Sequence, residues 1–179
     1  MQSRSSRPPA RSNGTWADIG AGTGTFSRAL AELLGPTGAV IAIDTNERAL
    51  AELRRHAASA SDEHAQITAI HGDMHALDKI DELEATTFDG ILFANVLHYT
   101  RTPDAVLAQA AAHLKPDGRI VVIEYERRMP NPWVPHPLPL ARLSEVATRA
   151  GLGTPREVAR RASSYQREMY CAVLTPATG

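Results

Sequence analysis

"WADIGAGTGTF", residues 16–26, places three glycines at alternate positions directly after a short apolar run. Glycine weakens a strand and loses much freedom on ordering, so such a cluster marks a turn that takes positive φ or brings its backbone close to something. "TWADIG" (15–20) reads as a strand, and Phe26 to Leu34, ended by Gly35-Pro36, as a helix. Strand, glycine turn and helix in that order open an α/β fold, and the rest of the chain keeps the rhythm.

"AVIAID" (39–44) is continuously apolar up to its last residue, as a strand buried on both faces should be. Asn46 is placed to cap a helix with Leu50 and Leu53 on one side. "AQITAIHGD" (65–73) holds a third strand and "FDGILFANV" (88–96) a fourth. Pro103 opens a helix through Leu114, "KPDG" (115–118) reads as a turn, and "RIVVIEY" (119–125) as a fifth strand. Five prolines in the twelve residues of "MPNPWVPHPLPL" (129–140) predict an irregular loop, followed by a helix over 141–150. "PREVARR" (155–161) and "YQREMYCAVLT" (165–175) are too close for a helical crossover and predict a hairpin-like pair. The expected fold is a Rossmann-like three-layer α/β sandwich, its seven-stranded sheet mostly parallel with an antiparallel last strand. The domain spans 15–175, and the basic, serine-rich residues 1–14 read as a disordered tail.

At 179 residues, with 43% hydrophobic and 22% charged residues, the composition is that of an ordinary globular domain. A net charge of −1 gives no reason to expect a nucleic-acid partner. No apolar run approaches the ~20 residues of a membrane span, and the first residues lack the apolar core of a secretory signal. A cytoplasmic protein is expected. One cysteine, Cys171, allows neither an internal disulfide nor a cysteine-based zinc site.

In open α/β sheets ligands bind beyond the carboxyl ends of the strands, where the strand order reverses, and Gly20, Gly22 and Gly24 fall there. A tight turn with no ligand is the plainer reading. The dinucleotide pattern G-x-G-x-x-G does not fit: its third glycine would fall on Thr25 or Ser27. Asp44 ends the second strand, 24 positions after Gly20, where a carboxylate can accept both hydroxyls of a ribose. A helix-start carboxylate favoured by the dipole is the alternative. Asp73, in "HGDM" (71–74), suits an exocyclic amine, and Asn95 comes to the end of the fourth strand.

"ADIGAGTGTF", "VIAID", "HGDM", "FDGILFANVLHY" and "LKPDGRIVVIEY" occur in this order over roughly residues 15–125. In these pieces the chain resembles a class I S-adenosylmethionine-dependent methyltransferase of the small type 11 group, which includes quinone-biosynthesis-like enzymes. The resemblance implies S-adenosylmethionine as cofactor and S-adenosylhomocysteine as product. It implies that the loop Gly20, Ala21, Gly22, Gly24 receives the methionine portion and that Asp18 orients that loop. It implies Asp44 on the ribose hydroxyls, with Thr45 following it where an apolar residue often packs on adenine. Asp73 would take the adenine amine and Met74, after Gly72, would line the adenine pocket. The backbone near Asn95 would contact the methionine amine. Family members usually carry helices before the first strand, and here about fourteen residues precede it. A large substrate, a lid made by the proline-rich loop, or a second subunit of a homodimer would complete the pocket.

Methyl transfer from a sulfonium is an in-line displacement in which positioning supplies much of the catalysis, and a base is needed only for a protonated nucleophile. His98 and Tyr99, just past the fourth strand, are the candidate catalytic residues, His98 as base and Tyr99 as pocket wall or donor. Glu124 and Tyr125 end the fifth strand and are further candidates near the reaction centre, with pairing of Glu124 to Arg127 or Arg128 the plainer expectation. Trp133 and His136 are placed to cover an apolar substrate or to be ordinary loop residues. No metal is expected: no acid pair follows the fourth strand, and His71 and His75 flank an aspartate assigned to adenine. The single cysteine argues against an arsenite-type enzyme. The expected activity is methyl transfer to a small-molecule acceptor. A catalytically silent cofactor-binding or scaffold subunit and a nicotinamide oxidoreductase are the other readings.

Overall fold

The computed structural model describes residues 14–127, 129–163 and 167–177. The tail expected over 1–14 therefore lies outside the described residues except for Gly14. Seven strands, β1 (Thr15–Ile19), β2 (Ala39–Asp44), β3 (Gln66–His71), β4 (Phe88–Ala94), β5 (Leu114–Tyr125), β6 (Arg156–Ser163) and β7 (Arg167–Leu174), form one sheet in the order β3-β2-β1-β4-β5-β7-β6. β1 to β5 are mutually parallel, and β7 runs antiparallel to both neighbours, as expected. The helices are α1 (Thr25–Leu34), α2 (Glu47–Ala58), α3 (Pro103–Ala112) and α4 (Leu140–Arg149). Because strand–helix–strand crossovers are right-handed, stepping outward from β1 through β2 to β3 and from β4 to β5 puts α1 and α2 on one face and α3 on the other. α4 packs against α3 and β7.

The parallel register carries matching side chains to the same face. Ala17, Ile19, Ile91, Phe93, Ile120 and Val122 share a buried cluster with Val106, Leu107 and Ala110 of α3 and Leu143, Val146 and Ala147 of α4. On the opposite face Val40 packs with Ala31 and Leu34 of α1 and with Ala65. Asn46 caps α2 as expected, its side chain accepting from the backbone N–H groups of Arg48 and Ala49. The turn expected at 115–118 is absorbed into β5. Phe88 pairs with Leu114 and Gly90 with Arg119, so two steps along β4 match five along β5 and the surplus forms a bulge. α3 stops at Ala112, two residues short of the expected end, because Leu114 already pairs with Phe88.

The turn between β1 and α1 shows why it holds glycines. Gly20 has φ 76°, and a β-carbon there would stand 2.3 Å from Cγ2 of Val96, in the segment after β4. Gly22 has φ 54° and no heavy atom within 4 Å of where a β-carbon would be. The first glycine is required by packing and conformation together, the second by conformation alone, and its missing side chain leaves open space. Gly22→Ala is expected to cost roughly 1–2 kcal/mol, the penalty of a left-handed backbone for an L-residue. Gly20→Ala should lose about 1–3 kcal/mol more through overpacking against Val96. Urea denaturation of both variants checks this, and equal losses would remove Val96 from the account.

Candidate functional site

All five parallel strands end on one edge, and the backbone there is tied together before any ligand is considered. The N–H groups of Gly20 and Ala21 both donate to the carbonyl of Ile43, at 2.8 and 3.0 Å, closing the glycine turn over the end of β2. Asp44 does the rest: Oδ2 accepts from Gly22 N–H at 2.8 Å and Oδ1 from Asn46 N–H at 2.8 Å. One carboxylate thus joins the glycine loop to the start of α2. Each oxygen keeps a second lone pair for a hydroxyl donor. Asp18 is 1% exposed, and its Oδ2 accepts from the Ser27 hydroxyl at 2.6 Å. Burial, reinforced by the charge of nearby Asp44 and opposed by the Ser27 bond, pushes its pKa up to about 6.

After β3 the chain turns sharply. A β-carbon on Gly72 would meet Ile80 Cδ1 at 2.4 Å and Ile43 Cγ2 at 3.0 Å, so a larger residue there would have to push the end of the Ile80 side chain aside. Asp73 follows with its carboxylate held by the next residue but one, accepting from the His75 backbone N–H at 2.9 Å and paired with ring Nδ1 at 2.8 Å. These two contacts hold its pKa below the usual carboxylate range. Gly20, Asp44, Thr45, Gly72, Asp73 and Met74 line one cavity of about 450 Å³ together with His75, Asn95 and Tyr99.

Asn95 leaves β4 with φ 56°, unusual for a residue other than glycine, and its backbone N–H donates to Ile123 of β5 at 2.8 Å. Its Oδ1 is buried with no hydrogen-bond partner among the described residues. Asn95 and Tyr99 also line a second cavity, of about 610 Å³, walled by His98, Tyr125, Arg127, Asn131, Trp133 and Val134. Beneath it His98 and Glu124, 2% and 1% exposed, form a pair. Glu124 accepts from the His98 backbone N–H at 3.2 Å and from ring Nδ1 at 2.8 Å. With Nδ1–H directed at the carboxylate, Nε2 is left as the ring's basic atom, and it has no protein partner among the described residues. Tyr170, opposite Glu124 across β5 and β7, donates to the Leu138 carbonyl at 2.6 Å. Its own pKa is pushed far up, first by burial and then by Glu124 and Glu126.

A family model described as a methyltransferase domain matches residues 17–120. The chain belongs to the class I S-adenosylmethionine-dependent methyltransferases. Among its curated relatives, a demethylmenaquinone methyltransferase of Shouchella clausii is 34% identical over 107 residues, covering 60% of this chain and 43% of the relative. The chain spans less than half the length of the curated relatives it matches. A solved arsenic(III) S-adenosylmethionine methyltransferase from Chlamydomonas reinhardtii shares the fold at TM-score 0.76 and 23% identity, covering 93% of this chain and 64% of that one. A solved S-adenosylmethionine-dependent methyltransferase of Methanosarcina mazei superposes at TM-score 0.71 and 13% identity, covering 94% of each chain.

The methyltransferase fold gathers Gly20, Asp44, Thr45, Gly72, Asp73, Met74 and Asn95 around one cavity, and sets Asp18, Ala21, Gly22 and Gly24 in the adjoining loop and its support. Asp18 engages Ser27 at the start of α1, a helix contact that strand patterning does not announce. One expectation changes. Glu124, expected to pair with Arg127 or Arg128, has buried His98 as its partner, because the register of β4 on β5 ends both strands side by side. Arg127 donates from Nε to the carbonyl of Met129, and Arg128 lies outside the described residues. In the proline-rich loop Trp133 reaches the second cavity, whereas His136 contributes a backbone N–H to the His98 carbonyl at 3.0 Å. No local sequence signal marks Asn131, Val134 or Arg127 as lining residues, and none sets His75 apart from an ordinary loop histidine. Among the described residues no three His, Cys, Asp or Glu side chains converge as a metal site, and no helix is long and apolar enough to cross a membrane.

The raised pKa of Asp18 has a fixed sign. The folded protein holds this proton up to about pH 6, while the unfolded chain releases it near 3.8. Between those values the folded state binds more protons, so this group's contribution to stability falls as pH rises and is level above about 6. Asp18→Asn keeps an acceptor for Ser27 and removes the titration. Denaturation midpoints from pH 4 to 8 should show the wild type losing on the order of 2–3 kcal/mol relative to the variant, and a constant difference would refute the assignment.

Proposed function

We propose that the chain transfers a methyl group from S-adenosylmethionine to a small-molecule acceptor bound in the second cavity, with His98 as general base. The observation that carries this is the buried His98–Glu124 pair under a cavity that meets the cofactor cavity at Asn95 and Tyr99. The residues present suit the cofactor. It brings donors at its ribose hydroxyls and adenine amine, and the first cavity offers the carboxylates of Asp44 and Asp73 as acceptors. The open space beside Gly22 leaves room for close approach to the loop backbone. When bound, the cofactor supplies a methyl carbon bonded to a positively charged sulfur, a good leaving group.

The chain's own part is to hold the acceptor and take its proton. Nε2 of His98 accepts a proton from the acceptor's hydroxyl or acidic C–H as that atom bonds to the methyl carbon, and Glu124 stabilises the imidazolium that results. The rings of Tyr99, Tyr125 and Trp133 around His98 fit a flat, apolar acceptor, in keeping with a relative named for demethylmenaquinone.

Calorimetric titration with S-adenosylhomocysteine, with NADH as control, tests the cofactor, and binding to NADH alone would sink the reading. Asp44→Ala should weaken S-adenosylhomocysteine binding by roughly 1.5–3 kcal/mol, the worth of a hydrogen bond to a charged group. For the base, S-adenosylhomocysteine release is followed over a panel of phenols, quinols and β-dicarbonyl compounds. His98→Gln should lower kcat about 10²–10⁴-fold with cofactor affinity kept, and an unchanged rate across pH 6–9 would remove His98 from the chemistry.

A further inference from the structure

We propose that His75 is a positioning residue for recognition of the cofactor's base: it clamps Asp73 so that a single carboxylate oxygen, Oδ2, faces the exocyclic amine. The proposal rests on the reading of Asp73 as the adenine acceptor. Asp73 lies on the loop after β3 with its side chain 54% exposed, where an aspartate ordinarily samples several rotamers. Here both donors of His75, the backbone N–H and ring Nδ1, converge on the same oxygen, Oδ1. Oδ2 has no protein partner among the described residues.

His75 is in turn fixed from two other elements. Its ring Nε2 meets Oγ1 of Thr100 at 2.9 Å, in the segment directly after His98 and Tyr99. Its backbone carbonyl accepts from Nε2 of Gln109 in α3 at 3.1 Å, while Oε1 of the same glutamine accepts from Leu77 N–H at 3.1 Å. The imidazole therefore bridges the loop after β3 to the turn after β4, with Asp73 at one end of the bridge. An ionised carboxylate only accepts hydrogen bonds, so a fixed Oδ2 favours an amine and repels a carbonyl oxygen at the same place. His75 thus turns a mobile surface acid into a selective one.

The test is calorimetry with two ligands, S-adenosylhomocysteine and S-inosylhomocysteine, in which oxygen replaces the amine. The wild type should prefer the amine at least roughly tenfold, as expected for a hydrogen bond to a charged group, and Asp73→Asn should abolish that preference. His75→Ala should shrink the preference severalfold, and His75→Asn, whose amide N–H stands near the place of Nδ1–H, should restore most of it. If Asp73→Asn leaves the preference intact, the reading of Asp73 is wrong and the proposal goes with it. If Asp73→Asn acts as expected but His75→Ala changes nothing, or weakens both ligands equally, only the role of His75 is overturned. Matching denaturation midpoints confirm that each variant is folded.

Discussion

Parallel strands all end on the same edge of their sheet, and this constraint governs the rest of the molecule. Five strands in the order β3-β2-β1-β4-β5 deliver their last residues to one line, with the direction of travel reversed between β1 and β4. At that reversal the helices leave to opposite faces, so nothing regular fills the gap above the strands. A glycine turn, two aspartates, an asparagine and a histidine reach it from four strands. The carboxylate of Asp44 keeps the edge from fraying by holding Gly22 and Asn46 at once.

The two cavities on this edge differ in how they are supported. The first is walled mainly by loops whose backbones are pinned by side chains, and its acids remain in contact with solvent. The second stands on the α3/α4 face, the more completely buried side of the sheet, with the proline-rich loop as its outer wall. That loop is irregular but well anchored: Val134 and Leu138 are each 1% exposed, and Asn131 Oδ1 accepts from the N–H groups of Trp133 and Val134. Placing a histidine and a glutamate in such a core is costly unless each satisfies the other, which is what the two bonds between them do. Asn95 lies where the cavities join, in a backbone conformation that asparagine tolerates better than most residues.

The strands, the glycine turn and the cap at Asn46 were legible because their signals are local: apolar runs of strand length, glycines at fixed offsets, a capping side chain before a periodic segment. The acids at the ends of β2 and β3 followed from their places at strand ends. Contacts set by register or by loop packing were not legible. Glu124 meets His98 across 26 positions of sequence, and a charged neighbour in the chain is the only partner that a linear reading offers. The bulge in β5 was hidden for the same reason, since "KPDG" has turn chemistry and only pairing with Phe88 keeps it in the strand. His75 carries no motif, and its place appears only when Asp73, Thr100 and Gln109 are brought around it.

The two tryptophans occupy opposite ends of this architecture. Trp16 lies near the start of β1, packed on the bare α-carbon of Gly90 with the Arg119 guanidinium 5.8 Å from its ring, at the opposite end of the strand from the glycine turn. Trp133 stands at the mouth of the second cavity, 71% exposed. The two indoles therefore have separate duties as intrinsic fluorophores. An aqueous quencher reaches the indole at the cavity mouth first, whereas the emission of Trp16 follows the integrity of the sheet. Light emitted by one and the same chain thus reports the state of the second cavity's mouth and unfolding as distinct signals, without a label.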